Sequence, residues 1–519
     1  MSATATTSTN QSQGAPDMQL FWGCFIALVA TSFGFIARVL TKGDWQSAFG
    51  LSETQAGEIL GAGLWPFAVS IVLFSLIIDR VGYKVAMYFG MFCHIVSTLL
   101  IVTAQGYWGM YVGTLVLALG SGTVEAYINP LVATMFNKDK AKWLNILHAG
   151  WPGGLVGGGI LTVMLTDLNW KVKIGLILIP TVVYAIMLWN KKFPIQERVA
   201  AGVSYKDMLK EVGAVGALII SSMVVMELGR IFFPEGLRTI LDIALIAGLT
   251  GVYAWYTKSV GKPLFILLLL IMIPLATTEL GIDSWIADLM QPSLGGNAAW
   301  VLIYTSAIML VLRMFFAGPI IKRLTPLGLL AVSAALAALG LFYLSTAAGI
   351  SILLAATLYG LGKTFFWPTT LGIVAEQFPR GGALTLNAVA GFGMIAVGII
   401  GAPFLGYIQD TQLNDKLAVY DQTNNTEMQD KYISESTWVL GKYDGLNQAA
   451  LGTASAEDAA IITTMQGEAK KSSLSTIAFL PIIMFIFYIA LLLYFRSKGG
   501  YKPVELGSES ESEKVQSGH

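Results

Sequence analysis

Charge is what this chain has least of: Asp, Glu, Lys and Arg make up 12% of its 519 residues, while 55% are hydrophobic. A soluble globular chain is about a quarter charged and about 45–50% apolar, so most of this one does not face water. Lys plus Arg and Asp plus Glu balance at 32 each, and with no surplus of positive charge nothing points to a nucleic-acid partner. Cysteine is nearly missing. Cys24 and Cys93 both sit in apolar blocks, which suits packed thiols and gives no disulfide framework. There is no HExxH, no paired CxxC and no nucleophile-elbow serine, so no metal, no cofactor and no enzymatic chemistry is expected. Gly360-Leu-Gly362-Lys363-Thr364 ends like a phosphate-binding loop, but Thr357 stands where the first glycine is required. The first 17 residues contain no Lys or Arg and so lack the basic start of a secretory signal; 1–17 reads as a disordered cytoplasmic N-terminus.

What is present is apolar sequence in long blocks. A hydrocarbon core about 30 Å thick needs about 20 apolar residues in helix to cross it. Six such blocks fall in 18–190, two in 214–258 and six in 259–495, fourteen in all. Between the first two groups lies a polar central loop, 191–213, carrying Lys191, Lys192, Glu197, Arg198, Lys206, Asp207 and Lys210. Short cytoplasmic loops accumulate Lys and Arg. With both termini cytoplasmic, that rule places this loop, Arg80 with Lys84, Lys258 with Lys262, and Lys322 with Arg323 on one side. Residues 410–472 are polar and form an outside loop or small cap within the last bundle. The tail 496–519, rich in Ser and Glu, is expected to be disordered and cytoplasmic. The fold class is all-α: a polytopic protein of the cell membrane, surrounded by lipid and expected to be a monomer.

The two outer groups repeat. Ser75-Leu-Ile-Ile-Asp79-Arg80-Val-Gly82-Tyr83-Lys84 is echoed by Gly318-Pro-Ile-Ile-Lys322-Arg323, and Gly122 and Pro130 fall on Gly360 and Pro368 at one common offset. Parallel repeats of a six-helix unit are a common way to build a secondary transporter. The Asp79-Arg80-x-Gly82-Tyr83-Lys84 run resembles the signature loop of the major facilitator superfamily. That resemblance implies two six-helix bundles related by a pseudo-two-fold axis, here with an inserted helix pair. It also implies a conformational role for Asp79, Arg80, Gly82, Lys84, Lys322 and Arg323. More locally, Glu125-Ala-Tyr-Ile-Asn129-Pro130, followed by Leu144-Asn145 and His148-Ala-Gly150-Trp151, is similar to the fucose-galactose-glucose proton symporter group. Where that group has a proton-binding acid in its first helix, this chain has no Asp or Glu, and Arg38 lies nearby.

A charge at mid-bilayer costs roughly 2.5–3.5 kcal/mol on insertion scales, so it persists only beside an aqueous cavity or a partner. The charged and titratable residues inside apolar blocks are therefore the candidate site: Arg38, Glu125, His148, Glu279, Asp283, Arg313 and Lys363. Overlaying the halves puts Arg38 on Glu279 and Glu125 on Lys363, opposite signs at equivalent places, which predicts counter-charges facing one another across one cavity. Glu125 is the leading coupling residue, since a cavity carboxyl can take up and release a proton as access alternates; Glu279 is second. Arg38, Asn129, His148, Asp283, Arg313 and Lys363 are candidate solute ligands, joined by Trp151, Trp285 and Trp367, whose ring faces suit a sugar. His94 reads as structural. The glycines of 150–159 suit close helix packing or sliding.

The expected function is secondary active transport of a small polar organic solute, a sugar or sugar-like compound, with a proton or sodium ion as the coupled partner. An organic anion is the alternative solute, bound by Arg38, Arg313 and Lys363. A transporter-fold nutrient sensor is a further alternative, weakened by the short tail after Arg496.

Overall fold

The computed structural model describes residues 16–51, 59–165, 167–438 and 441–506. Most of the expected N-terminal segment and the tail beyond 506 lie outside the described residues. Among those described, twelve helical stretches are long and apolar enough to cross a membrane. Two places account for the difference from fourteen. Ala299–Thr346 forms one stretch of 48 residues, about 72 Å at 1.5 Å per residue and more than twice a bilayer core. It is broken at Thr325, whose φ is 61°, just before Pro326, and so supplies two crossings. The other place is 351–377, where Ser351–Lys363 and Phe366–Gln377 are each too short to span alone but follow one another across a two-residue break.

The architecture is six helices, a pair, and six helices. Glycine sets the tightest packing in the first bundle. A Cβ on Gly154 would lie 1.9 Å from Ser32 Oγ and 2.6 Å from the Val29 carbonyl, so the helices Met18–Leu40 and Gly150–Met164 meet backbone to backbone. The inserted pair, Tyr205–Phe232 and Glu235–Thr257, is peripheral. Within the second of its helices only 6% of the apolar window is buried, as expected of a surface solvated by lipid. Its first helix is kinked at Gly213, φ 64°.

At the end carrying the 191–211 loop the two halves are closed against each other. Lys140 Nζ donates to Glu197 at 2.6 Å and to the Ala375 carbonyl at 3.2 Å. Asn145 donates to Thr369 Oγ1 at 3.0 Å, and Glu376 accepts the Ala141 N–H at 3.2 Å. Part of the tail expected to be free lies here too. Tyr501 donates to Glu376 Oε2 at 2.6 Å, and Val504 N–H to the Glu376 carbonyl at 2.8 Å. One aromatic residue in a polar sequence anchors it, which a reading of average composition overlooks.

At the opposite end, residues 410–472 form a folded cap. Helix Ala402–Asn424 runs on past the apolar layer into Met428–Tyr432, a hairpin of Ile433–Trp438 with Gly441–Leu446, and helix Ala456–Ile477. Leu413, Leu417, Tyr432 and Ile462 give the cap its own small core.

Candidate functional site

The centre of the molecule is built from interrupted helices. One break falls at His148–Ala149, between Lys140–Leu147 and Gly150–Met164; another at Thr364–Phe365. Two more are π-turns, Thr277–Gly281 and Leu312–Phe316. Each interruption leaves backbone groups without helical partners, and in an apolar layer these must be satisfied by buried side chains. Arg313 and Glu279, both on π-turns, supply them. Arg313 donates from Nη1 to the His148 carbonyl at 3.0 Å and from Nε to the Thr364 carbonyl at 2.5 Å. Its Nη2 donates to Glu279 Oε1 at 2.8 Å. The second Glu279 oxygen accepts the Trp367 N–H at 3.1 Å, at the start of the resumed helix. Beside this pair Lys363 bonds to Asp283, its ammonium 5.2 Å from the centre of the Tyr359 ring.

In the first bundle Glu125 and Arg38 have no such counter-charge among the described residues. Glu125 accepts Asn129 Nδ2–H at 2.7 Å, and Asn129 Oδ1 meets His148 Nε2 at 2.9 Å. This is a hydrogen-bonded row of carboxylate, amide and imidazole with no cation on the carboxylate among the described residues. Arg38 is 5% exposed, yet among the described residues its guanidinium makes one hydrogen bond, from Nε to the Gly34 carbonyl of its own helix, at 3.2 Å. Its Nη1 is buried with no acceptor among the described residues.

Two adjoining cavities lie between the halves. The larger, about 120 Å³, is lined by Thr31, Arg38, Ser121, Trp151, Asp283 and Ser284 among apolar residues. The smaller, about 30 Å³, is lined by Glu125, His148, Glu279, Arg313 and Trp367. Phe67, Trp151, Leu280 and Met394 border both. The arrangement can hold a small solute against Arg38 and Trp151 while Glu125 sits within the same central space.

The sequence model of the Major Facilitator Superfamily matches residues 21–403, most of the chain. The chain belongs to the major facilitator superfamily. Its structure is similar to that of the proton:xylose symporter XylE bound to 6-bromo-6-deoxy-D-glucose, with TM-score 0.60 and 11% identity over 91% of this chain and 95% of that one. The fucose:proton symporter FucP of E. coli superposes with TM-score 0.55 and 15% identity, over 91% of this chain and 97% of FucP. The human organic anion transporter MFSD10 does so with TM-score 0.55 and 10% identity, over 91% and 99%. At such identities these likenesses show the fold alone. In sequence, the chain is 27% identical over 143 residues to the hexuronate transporter of Bacillus subtilis (strain 168). That match spans 27% of this chain and 34%, about a third, of the relative's length.

The facilitator fold brings together six of the seven charged or titratable candidates as cavity-lining residues, and buries Lys363 behind Asp283. The pairing differs from that expected from the repeat. Lys363 joins Asp283 rather than Glu125, and Arg313 rather than Arg38 joins Glu279. Trp151 and Trp367 line cavities; Trp285 instead packs toward Gly406 of the helix that enters the cap. Ser121 and Ser284 also line the larger cavity, and a lone serine in an apolar helix carries no sequence signal. In the signature loop, Gly82 makes the turn at φ 85°. Asp79 forms a buried ion pair with Arg198 of the central loop, Arg80 stacks 4.7 Å from the Tyr205 ring, and Lys84 lies 5.8 Å from the Tyr88 ring. Lys322 and Arg323, at the repeat position, are exposed and make no ion pair among the described residues.

Proposed function

We propose that this facilitator is a proton-coupled transporter of a small sugar-like solute bearing one carboxylate. The observation that carries this reading is Arg38, a buried guanidinium facing the larger cavity with an unsatisfied Nη1. A permanent cation held out of water is costly without a counter-charge, and planar guanidinium is well matched to a carboxylate. Trp151, on both cavities, offers a face to a sugar ring. The printed names of the relatives lend support, since one carries hexuronate, a sugar acid, and others are sugar:proton symporters.

Coupling follows from charge balance in the same space. Glu279 with Arg313 and Asp283 with Lys363 are internally neutral. That leaves Arg38 and Glu125. A carboxylate on Arg38 alone leaves the Glu125 charge uncompensated, and a proton on Glu125 alone leaves that of Arg38. Closing the cavity over a net charge is penalised in either case. Solute and proton bound together leave it neutral, so the two cross together.

Uptake of radiolabelled D-glucuronate and D-glucose into proteoliposomes, with and without an inward proton gradient, tests the reading. Gradient-driven accumulation of glucuronate, and little of glucose, is expected. Equal handling of the two sugars, or uptake indifferent to the gradient, would sink it.

A further inference from the structure

We propose that Ser121 is a solute-binding donor in the central cavity and that His94, which does not line that cavity, is the residue that positions it. The inference rests on the carboxylate-solute reading above. Ser121 lines the 120 Å³ cavity together with Arg38 and Trp151. Behind it, His94 Nε2 lies 3.3 Å from Ser121 Oγ, and Tyr184 Oη lies 3.2 Å from His94 Nδ1. The three residues come from three helices, Tyr83–Val102, Tyr107–Met135 and Leu178–Trp189, and all are buried. Their meeting depends on a close approach at Gly120, where a Cβ would fall 2.6 Å from that of Cys93 and 3.2 Å from the His94 ring.

The direction of the hydrogen bonds can be derived. With one ring proton, His94 donates through one nitrogen and accepts through the other. If Ser121 donated to Nε2, Nδ1–H would donate to Tyr184, and the Tyr184 hydroxyl hydrogen would have no acceptor, since Tyr184 makes no other hydrogen bond among the described residues. A buried donor left unmade costs more than a hydrogen bond contributes. The arrangement that satisfies every group has Tyr184 O–H donating to Nδ1 and Nε2–H donating to Ser121 Oγ. The Ser121 hydroxyl hydrogen is then free, and the open direction is the cavity. A relay that begins at a fully buried tyrosine therefore presents a donor to the solute on the wall shared with Arg38. A donor fixed from behind gives up little freedom on binding, which is the advantage of preorganisation.

The test is D-glucuronate transport by proteoliposomes of the wild type, Ser121→Ala, Ser121→Cys, Tyr184→Phe and the Tyr184→Phe/Ser121→Ala double variant. Ser121→Ala and Ser121→Cys should each raise KM about tenfold, the size of one hydrogen bond to a charged group, with kcat little changed. Tyr184→Phe frees the ring to turn its proton around and should raise KM roughly threefold in the wild type, but add nothing in the Ser121→Ala background. A network that only holds helices together would instead lower kcat or folded yield, with independent effects. Wild-type KM in both Ser121 variants, or a Tyr184→Phe effect of equal size in both backgrounds, overturns the inference while leaving the solute reading intact. A wild type that does not carry glucuronate overturns the solute reading, and this inference with it.

Discussion

The two bundles of this facilitator handle buried charge in opposite ways. In the second bundle the central charges among the described residues have counter-charges: Glu279 with Arg313, Asp283 with Lys363. In the first, among the described residues, Glu125 has only an amide for company and Arg38 has no acceptor on Nη1. On the proposed reading, the Arg313–Glu279 pair, which also satisfies the backbone at two helix breaks, serves the scaffold. On the same reading, Arg38 and Glu125, which line two adjoining cavities, are completed by the solute and the proton.

The contrast can be broken most severely at Arg313. Arg313→Met strands the Glu279 carboxylate and the backbone carbonyls of His148 and Thr364, and thermal unfolding in detergent should report a loss of about 3–5 kcal/mol. Glu279→Gln in the same protein should recover much of it, because a neutral amide still accepts from Trp367. Arg38→Gln is the counterpart: stability unchanged or raised, but glucuronate binding weakened roughly 10- to 150-fold, from about 1.5–3 kcal/mol of charge-assisted hydrogen bonding. Equal stability losses at Arg38 and Arg313 would erase the distinction between the halves.

The signature loop sharpens the same contrast on a smaller scale. Asp79→Asn removes the charge opposite Arg198 in a buried pair and should cost about 1–3 kcal/mol of stability. Arg323→Gln, at the exposed repeat position, should stay within about 0.5 kcal/mol. A larger effect at Arg323 than at Asp79 would mean that the second loop closes a contact in another conformation of the carrier.

Much of this was legible in the sequence, because bilayer thickness and the cost of buried charge act on composition directly. The six-two-six grouping, the repeat and the convergence of Arg38, Glu125, His148, Glu279, Asp283 and Arg313 on one centre follow from those two constraints. Pairing was not legible. A π-turn inserts one residue and rotates all that follows by about 100°, and turns at Thr277–Gly281 and Leu312–Phe316 redirect Glu279 and Arg313 in ways an overlay of the halves does not register. The placement of Trp285 outside both cavities was likewise not legible, since a large apolar ring packs equally well on a neighbouring helix as on a solute. Tyr501 and the cap around Leu417 and Tyr432 show that a few apolar anchors suffice to order a polar segment.

The central claim is that Glu125 carries the proton whose entry balances the carboxylate on Arg38. Glucuronate-driven proton uptake into proteoliposomes, measured beside glucuronate counterflow for the wild type and Glu125→Gln, tests it most directly. Gln keeps the hydrogen bond with Asn129 and imitates a protonated carboxyl. The account predicts counterflow close to wild type in the variant, with proton movement and accumulation against a gradient both lost. Proton uptake that survives Glu125→Gln would contradict it.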